Sequence, residues 1–309
     1  MFTTTNTTPY YTPSGRTPLV GIVLFLVGGI IAAWLLGIVY NYVVEYIPFI
    51  YLKFLATIFF GIALGFACAR LAKTGKLRSP AKVTILAIIV ALVGLWLHWA
   101  FFCAFIFNRH GNDPLIAGYI AHLKSPAEII DSMNIILQRG HFTIGASSRP
   151  DNTITGAFLA IIWVIEALII VGFCARVAFF RASRDLYSET CDCWAAQEKL
   201  PACLSAIADH GAFKIEAETG NLNTLLSAIP VTETYPVYTK LTLHAVENDP
   251  DCRYLTLEET TITTGKKGKI QRNTKPIVVN LHITPAQHEK IRAQFGAATA
   301  PTAMPPAAA

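Results

Sequence analysis

Apolar residues run almost unbroken through Pro18–Tyr40, Pro48–Leu71, Val83–Phe107 and Ile154–Phe180. A bilayer core about 30 Å thick takes roughly 20 helical residues at about 1.5 Å each. Each stretch is long enough. In hydrocarbon every backbone group must be paired within its own segment, so the pattern predicts four transmembrane helices. A barrel would instead show alternating segments of about ten residues, and the chain has none. The first stretch has a long apolar core and no small-residue cleavage site after it. It reads as a retained anchor rather than a signal peptide. The Thr-rich leader before it, residues 1–17, is expected to be disordered.

Between the third and fourth stretches, residues 108–153 carry a shorter rhythm. Asp113-Pro114 suits an N-cap followed by proline at the first helical position. Leu115, Ile116, Tyr119, Ile120 and Leu123 then share a face. Ser125-Pro126-Ala127-Glu128 reads as a capping box. Ile129, Ile130, Met133, Ile136 and Leu137 repeat at helical spacing before Gly140. These two amphipathic helices either lie on the bilayer surface or cap the bundle.

After Ala182 the rhythm changes. Residues to about Pro230 have helical and loop character. Leu241, Leu243 and Ala245 then alternate with Thr242 and His244, and Leu255 and Leu257 with Thr256. Thr260–Thr264 is β-branched, and Gly265-Lys266-Lys267-Gly268 is a turn signal. Ile277, Val279, Leu281 and Ile283 alternate in turn. Thr284-Pro285-Ala286-Gln287 is a second capping box, with helix to Gly296. The expectation is a small α+β domain over residues 182–296, followed by a low-complexity, disordered tail at 297–309. The fold class is therefore membrane all-α with four helices, plus this α+β domain.

Composition agrees. The chain has 309 residues, of which 53% are hydrophobic and 15% charged. A soluble globular chain carries about a quarter charged residues. This excludes a disordered or collagen-like protein and an ordinary cytosolic enzyme. The net charge of +5 is a matter of placement. Arg70, Lys73, Lys76, Arg78 and Lys82 crowd the second link with no acid among them. Arg176, Arg181 and Arg184 follow at the end of the fourth stretch, whereas residues 108–153 are balanced. By the positive-inside rule both basic edges face the cytoplasm, and both termini with them. From Ala182 onward, 12 Lys and Arg meet 14 Asp and Glu, a net −2. That argues against nucleic acid as a partner. The partners expected are the lipid bilayer and either a second protein or further copies of this chain.

Three features carry candidate chemistry. Glu166 lies mid-way along the fourth span, where an acid costs about 2.5–3.5 kcal/mol by analogy with Asp. His98 lies at a similar depth in the third span, so the two are a candidate polar pair. They would relay a proton, bind a cation or simply fix the bundle. Gly61 and Gly65, and Gly29, Ala33 and Gly37, form small-residue faces on the second and first spans. Such faces let helices approach closely, within one chain or between copies. Cys191, Cys193, Cys203 and Cys252 are four thiols of the kind that suit zinc, although the spacing is not that of paired CxxC knuckles. Redox-active or ordinary thiols are the alternatives, and no other cofactor is expected. His110, His122 and His141 lie in the outer segment without a metal-ligand spacing. Glu45 lies among interfacial tyrosines. The Asn6-Thr7-Thr8 sequon is on a leader placed inside. No P-loop, GxGxxG, HExxH or GxSxG occurs.

Several runs resemble a group of uncharacterised bacterial multi-pass membrane proteins. They are Tyr42–Tyr51 around Ile47-Pro48-Phe49-Ile50, Trp163-x-x-Glu166-Ala167, and Cys191-x-Cys193-Trp194. The likeness covers residues 18 to 285. It implies four spans, a cytoplasmic tail domain and the bacterial inner membrane, and brings no activity or catalytic residue. The expected function is a non-enzymatic scaffold, sensor or adaptor whose tail domain binds protein. The alternatives are a small oligomeric channel or ion-coupled transporter using Glu166 and His98, and a lipid-headgroup enzyme using the outer histidines.

Overall fold

The computed structural model describes residues 9–47, 50–110, 114–140, 142–143, 153–264 and 269–296. They form two compact units, residues 14–184 and residues 9–13 with 185–296. The sequon, Asp113, His141, the Gly265–Gly268 turn and the 297–309 tail lie outside the described residues.

The first unit holds α1 (Leu19–Tyr46), α2 (Ile50–Thr74), α3 (Pro80–His110), α4 (Leu115–Lys124), α5 (Pro126–Arg139) and α6 (Gly156–Arg184). The short strands β1 (Phe142–Thr143) and β2 (Thr153–Ile154) pair ahead of α6. Helices α1, α2, α3 and α6 are each long and apolar enough to cross a membrane. Their ends run past the expected apolar limits, because polar end residues continue a helix at no desolvation cost. α1 packs against α2 and α3, and α6 packs against the same two from the other side.

Close approach explains the small residues. A Cβ added at Gly65 would stand 2.9 Å from the Cys174 carbonyl oxygen and 2.7 Å from Val177 Cβ. One added at Gly61 would stand 2.9 Å from the Ile170 carbonyl oxygen. The GxxxG face of α2 is thus filled by α6 of the same chain. Gly29 meets Val90, Ala33 meets Gly94, and Gly37 faces His98, which seats α1 on α3.

α4 and α5 cap one end of this bundle. Ser125 Oγ accepts from Glu128 N at 3.3 Å, one of the two bonds of the expected capping box. Tyr119, Leu123, Ile129, Met133, Ile136 and Leu137 join the core with Tyr40, Phe102 and Trp163. Ile116, Ile120 and Ile130, expected on the same faces, point outward instead. The apolar arc of each short helix is wider than the bundle surface it covers.

The second unit contains the hairpin β3 (Tyr187–Ser188) and β4 (Cys193–Trp194), then β5 (Ala196–Ser205), α7 (His210–Glu218), α8 (Asn223–Leu226), β6 (Pro230–Val231), β7 (Val237–Val246), β8 (Asp249–Thr264), β9 (Ile270–His282) and α9 (Pro285–Phe295). The main sheet is antiparallel throughout, in the order β6-β5-β7-β8-β9. Leu204, Leu243, Leu255 and Leu281 line one face, covered by Phe213 of α7 and by Ile291 and Phe295 of α9. Thr284 and Gln287 close the expected capping box on α9.

Two expectations are corrected. Residues 182–230 are not only helix and loop, since β5 is a ten-residue strand flanked by β6 and β7. A register shift between Lys199 and Cys203, beside Pro201, breaks the period-two alternation that would have marked it. The leader is also not a free tail over residues 9–11. His282 N donates to Pro9 O at 2.7 Å, and Tyr11 N to Asn280 O at 2.9 Å. This segment adds to the open edge of β9, satisfying backbone groups that an edge strand leaves unpaired.

Candidate functional site

All four long helices send polar groups into one region of the bundle. Tyr40 and Asn41 come from α1, Lys53 and Thr57 from α2, His98 from α3 and Glu166 from α6. Tyr40, Asn41, Thr57, His98 and Glu166 are buried, and Lys53 is half-buried. The Tyr40 and Thr57 hydroxyls share a hydrogen bond of 2.8 Å, and Thr57 Oγ1 donates to Lys53 O at 2.9 Å. Asn41 Nδ2 donates to Gly37 O at 2.8 Å and to His98 O at 3.3 Å, tying α1 to α3. The Tyr40 ring stacks on Phe60 at 5.0 Å and lies 4.9 Å from the His98 ring.

The expected Glu166–His98 pair is not direct. Neither side chain hydrogen-bonds or ion-pairs with the other. Glu166 instead lies within Coulomb range of Lys53 and Tyr40. Tyr40 thus neighbours both His98, by its ring, and Glu166, by its charge range. Lys53 lies in range of both Glu45 and Glu166. Two polar atoms have no hydrogen-bond partner, His98 Nδ1 and Asn41 Oδ1. A buried polar atom left unpaired costs roughly 1–3 kcal/mol.

The other candidates separate. Both ring nitrogens of His122 are used inside the chain, Nδ1 with Gly118 O at 2.7 Å and Nε2 with Ser132 Oγ at 2.9 Å. That residue clamps α4 to α5. The His110 side chain lies outside the described residues. Cys191, Cys193 and Cys252 pack in one small cluster with Leu186, Val246 and Tyr254. Burial first, then the nearby Asp249 charge, pushes the Cys252 thiol up to about 12. It is a protonated, inert thiol at neutral pH. Cys203 sits elsewhere, paired in register with Lys240 and Val231. Among the described residues no three His, Cys, Asp or Glu side chains are placed to hold a metal ion.

Tyr40, Asn41 and Thr57 were missed in the sequence. Tyr and Thr are ordinary in spans, and Asn41 lies just past the apolar stretch that ends at Tyr40, so its place inside the longer α1 was hidden. Comparison with protein-family models, curated proteins and solved structures finds no match.

Proposed function

We propose that the protein is an integral protein of the bacterial inner membrane, with both termini cytoplasmic, that serves as a scaffold, sensor or adaptor. The four apolar helices anchor it, and the α+β domain binds a protein partner. The observation that carries this reading is the edge pairing of residues 9–11 with β9. The domain is thereby joined to the start of α1 as well as to the end of α6. That double covalent attachment supports an even number of crossings. The basic residues of the α2–α3 link and of the α6 end favour the cytoplasmic side. Ile215 and Ile229, 67% and 57% exposed, are two of the apolar contacts the domain offers. Affinity capture of the full-length protein from gently solubilised native membranes, with native mass analysis, tests the reading. A stoichiometric second protein, lost in an Ile215→Asp/Ile229→Asp variant, is expected. Elution as a homo-oligomer alone overturns it.

The polar cluster favours a second reading, an ion-coupled channel or carrier working through Glu166 and His98. A pure anchor needs no such groups, and ionisable residues inside a membrane most often serve function. In proteoliposomes, Glu166→Gln would then change proton or cation flux. Wild-type liposomes as tight as empty ones would end that reading.

A further inference from the structure

The outward face of α6 carries a groove of about 340 Å³, lined by Ile165, Leu168, Ile169, Gly172, Phe173 and Arg176. These residues recur at three- and four-residue spacing, so the groove runs along the helix axis. Its floor is Gly172. The other glycines in the long-helix interiors touch neighbouring helices, but a Cβ at Gly172 would meet nothing within 4 Å. The missing side chain serves no packing inside the chain, and what it leaves is the notch itself. Leu168 and Ile165, at 68% and 41% exposure, form walls open to the surroundings.

Arg176 closes one end. It is the only charged residue in the lining. Its guanidinium lies 4.8 Å from the Phe180 ring, and among the described residues it has no carboxylate partner. Arg176 stands eight residues before the end of α6, about 12 Å along the axis. In a bilayer a long basic side chain at that depth extends toward the headgroups, its stem along apolar surface. The groove thus offers an apolar trough of the length of several methylenes that leads to one unpaired cation. That polarity, acyl chain then anion, is the polarity of a lipid.

We propose that this groove binds an anionic phospholipid of the surrounding bilayer, with an acyl chain over Gly172 and the phosphate on Arg176. The occupant is favoured over a second copy of the chain because the end group is a lone cation, which two facing copies would bring together as like charges. The inference requires the bundle to be membrane-embedded and is independent of the adaptor reading.

Native mass spectrometry of the full-length protein in mild detergent tests it, with phosphatidylglycerol and chain-matched phosphatidylcholine titrated in parallel. Phosphatidylglycerol should stay bound preferentially. Arg176→Gln should weaken it about fivefold, the worth of one basic side chain at an anionic surface. Gly172→Leu, which fills the floor, should weaken it at least as much. Arg184→Gln removes the same charge outside the groove and should leave retention unchanged. Equal retention of the two lipids, or equal loss from Arg176→Gln and Arg184→Gln, overturns the proposal. A dimer mass that disappears with Gly172→Leu also overturns it, and assigns the groove to a second copy.

Discussion

In the helical bundle about half of the residues with no exposure are small, Ala33, Cys68, Ala87, Ala91, Cys103, Cys174 and Ala178 beside Phe25, Leu64 and Leu159, while Phe59, Phe66, Leu92 and Leu168 face outward. In the domain the fully buried positions include Leu204, Phe213, Leu225, Leu243 and Phe295. Among its described residues, the large apolar side chains left exposed are Ile215, Ile229, Ile270 and Val279. The membrane setting proposed above accounts for two packing rules in one chain. In water, large apolar groups go inside because burial removes area from water, at about 25 cal/mol per Å². In lipid that gain is absent, so small residues gather at the seams where backbones touch, and large ones are free to face outward. A core truncation should therefore be most damaging in the domain, and an enlargement most damaging in the bundle.

The largest expected effect is Phe213→Ala, which empties a site 1% exposed beneath the sheet. It should cost the domain about 3–5 kcal/mol. Hydrogen exchange of the detergent-solubilised protein should show β7 and β8 losing protection while α1–α3 keep theirs. Loss in both units would break the distinction between them. Next is Gly65→Leu, whose side chain would drive into Cys174 and Val177 of α6. The expected loss is about 2–3 kcal/mol, read as a lower thermal midpoint in detergent. Phe59→Ala, at 61% exposure on the same helix, should change that midpoint far less. If Phe59→Ala were the more damaging, the bundle would be packed like a soluble core.

A smaller effect separates the units by pH. His244 on β7 is buried, and burial lowers its pKa from 6.5 to about 4. The unfolded chain then binds the proton first. The contribution is complete above pH 6.5 and is lost as pH falls through 4, about 2 kcal/mol of it by pH 5. Protection of β7 should fall between pH 7 and pH 5, and His244→Gln should flatten that dependence.

The four long helices were legible because desolvated backbone admits few structures, and length and hydropathy record that directly. β7, β8, β9 and α9 were legible where alternation and a capping box stood uninterrupted. β5 was not, because a bulge at Lys199–Cys203 hides its period. In the polar cluster Glu166 and His98 stood out as rare residues in apolar runs. Their relation did not, since depth along a helix says nothing of the direction in which a side chain points. Lys53, five residues into the second apolar stretch, gave no signal, yet it lies in range of Glu166. The small-residue faces announced close approach without saying to which helix, and Gly61 and Gly65 turned out to face α6.

The smallest effect falls where the two units meet in sequence. Residues 9–11 precede the first span, and their Thr-rich surroundings give no alternating pattern to read. They are nevertheless held to β9 by two backbone hydrogen bonds. Tyr10 Oη donates to Glu218 Oε1 at 2.7 Å, and Tyr11 packs edge-on against Tyr254 at 5.4 Å. Each hydrogen bond is worth about 0.5–1.5 kcal/mol net, and part of that is spent ordering the segment. Removing residues 2–12 should therefore cost the domain only about 1 kcal/mol. The effect should be local: the His282 amide, which donates to Pro9 O, should exchange about fivefold faster, while amides of β5, on the far side of β7 and β8, stay as they were. Unchanged exchange at His282 would mean that the domain holds its β9 edge without the leader, and that the bundle is joined to it through α6 alone.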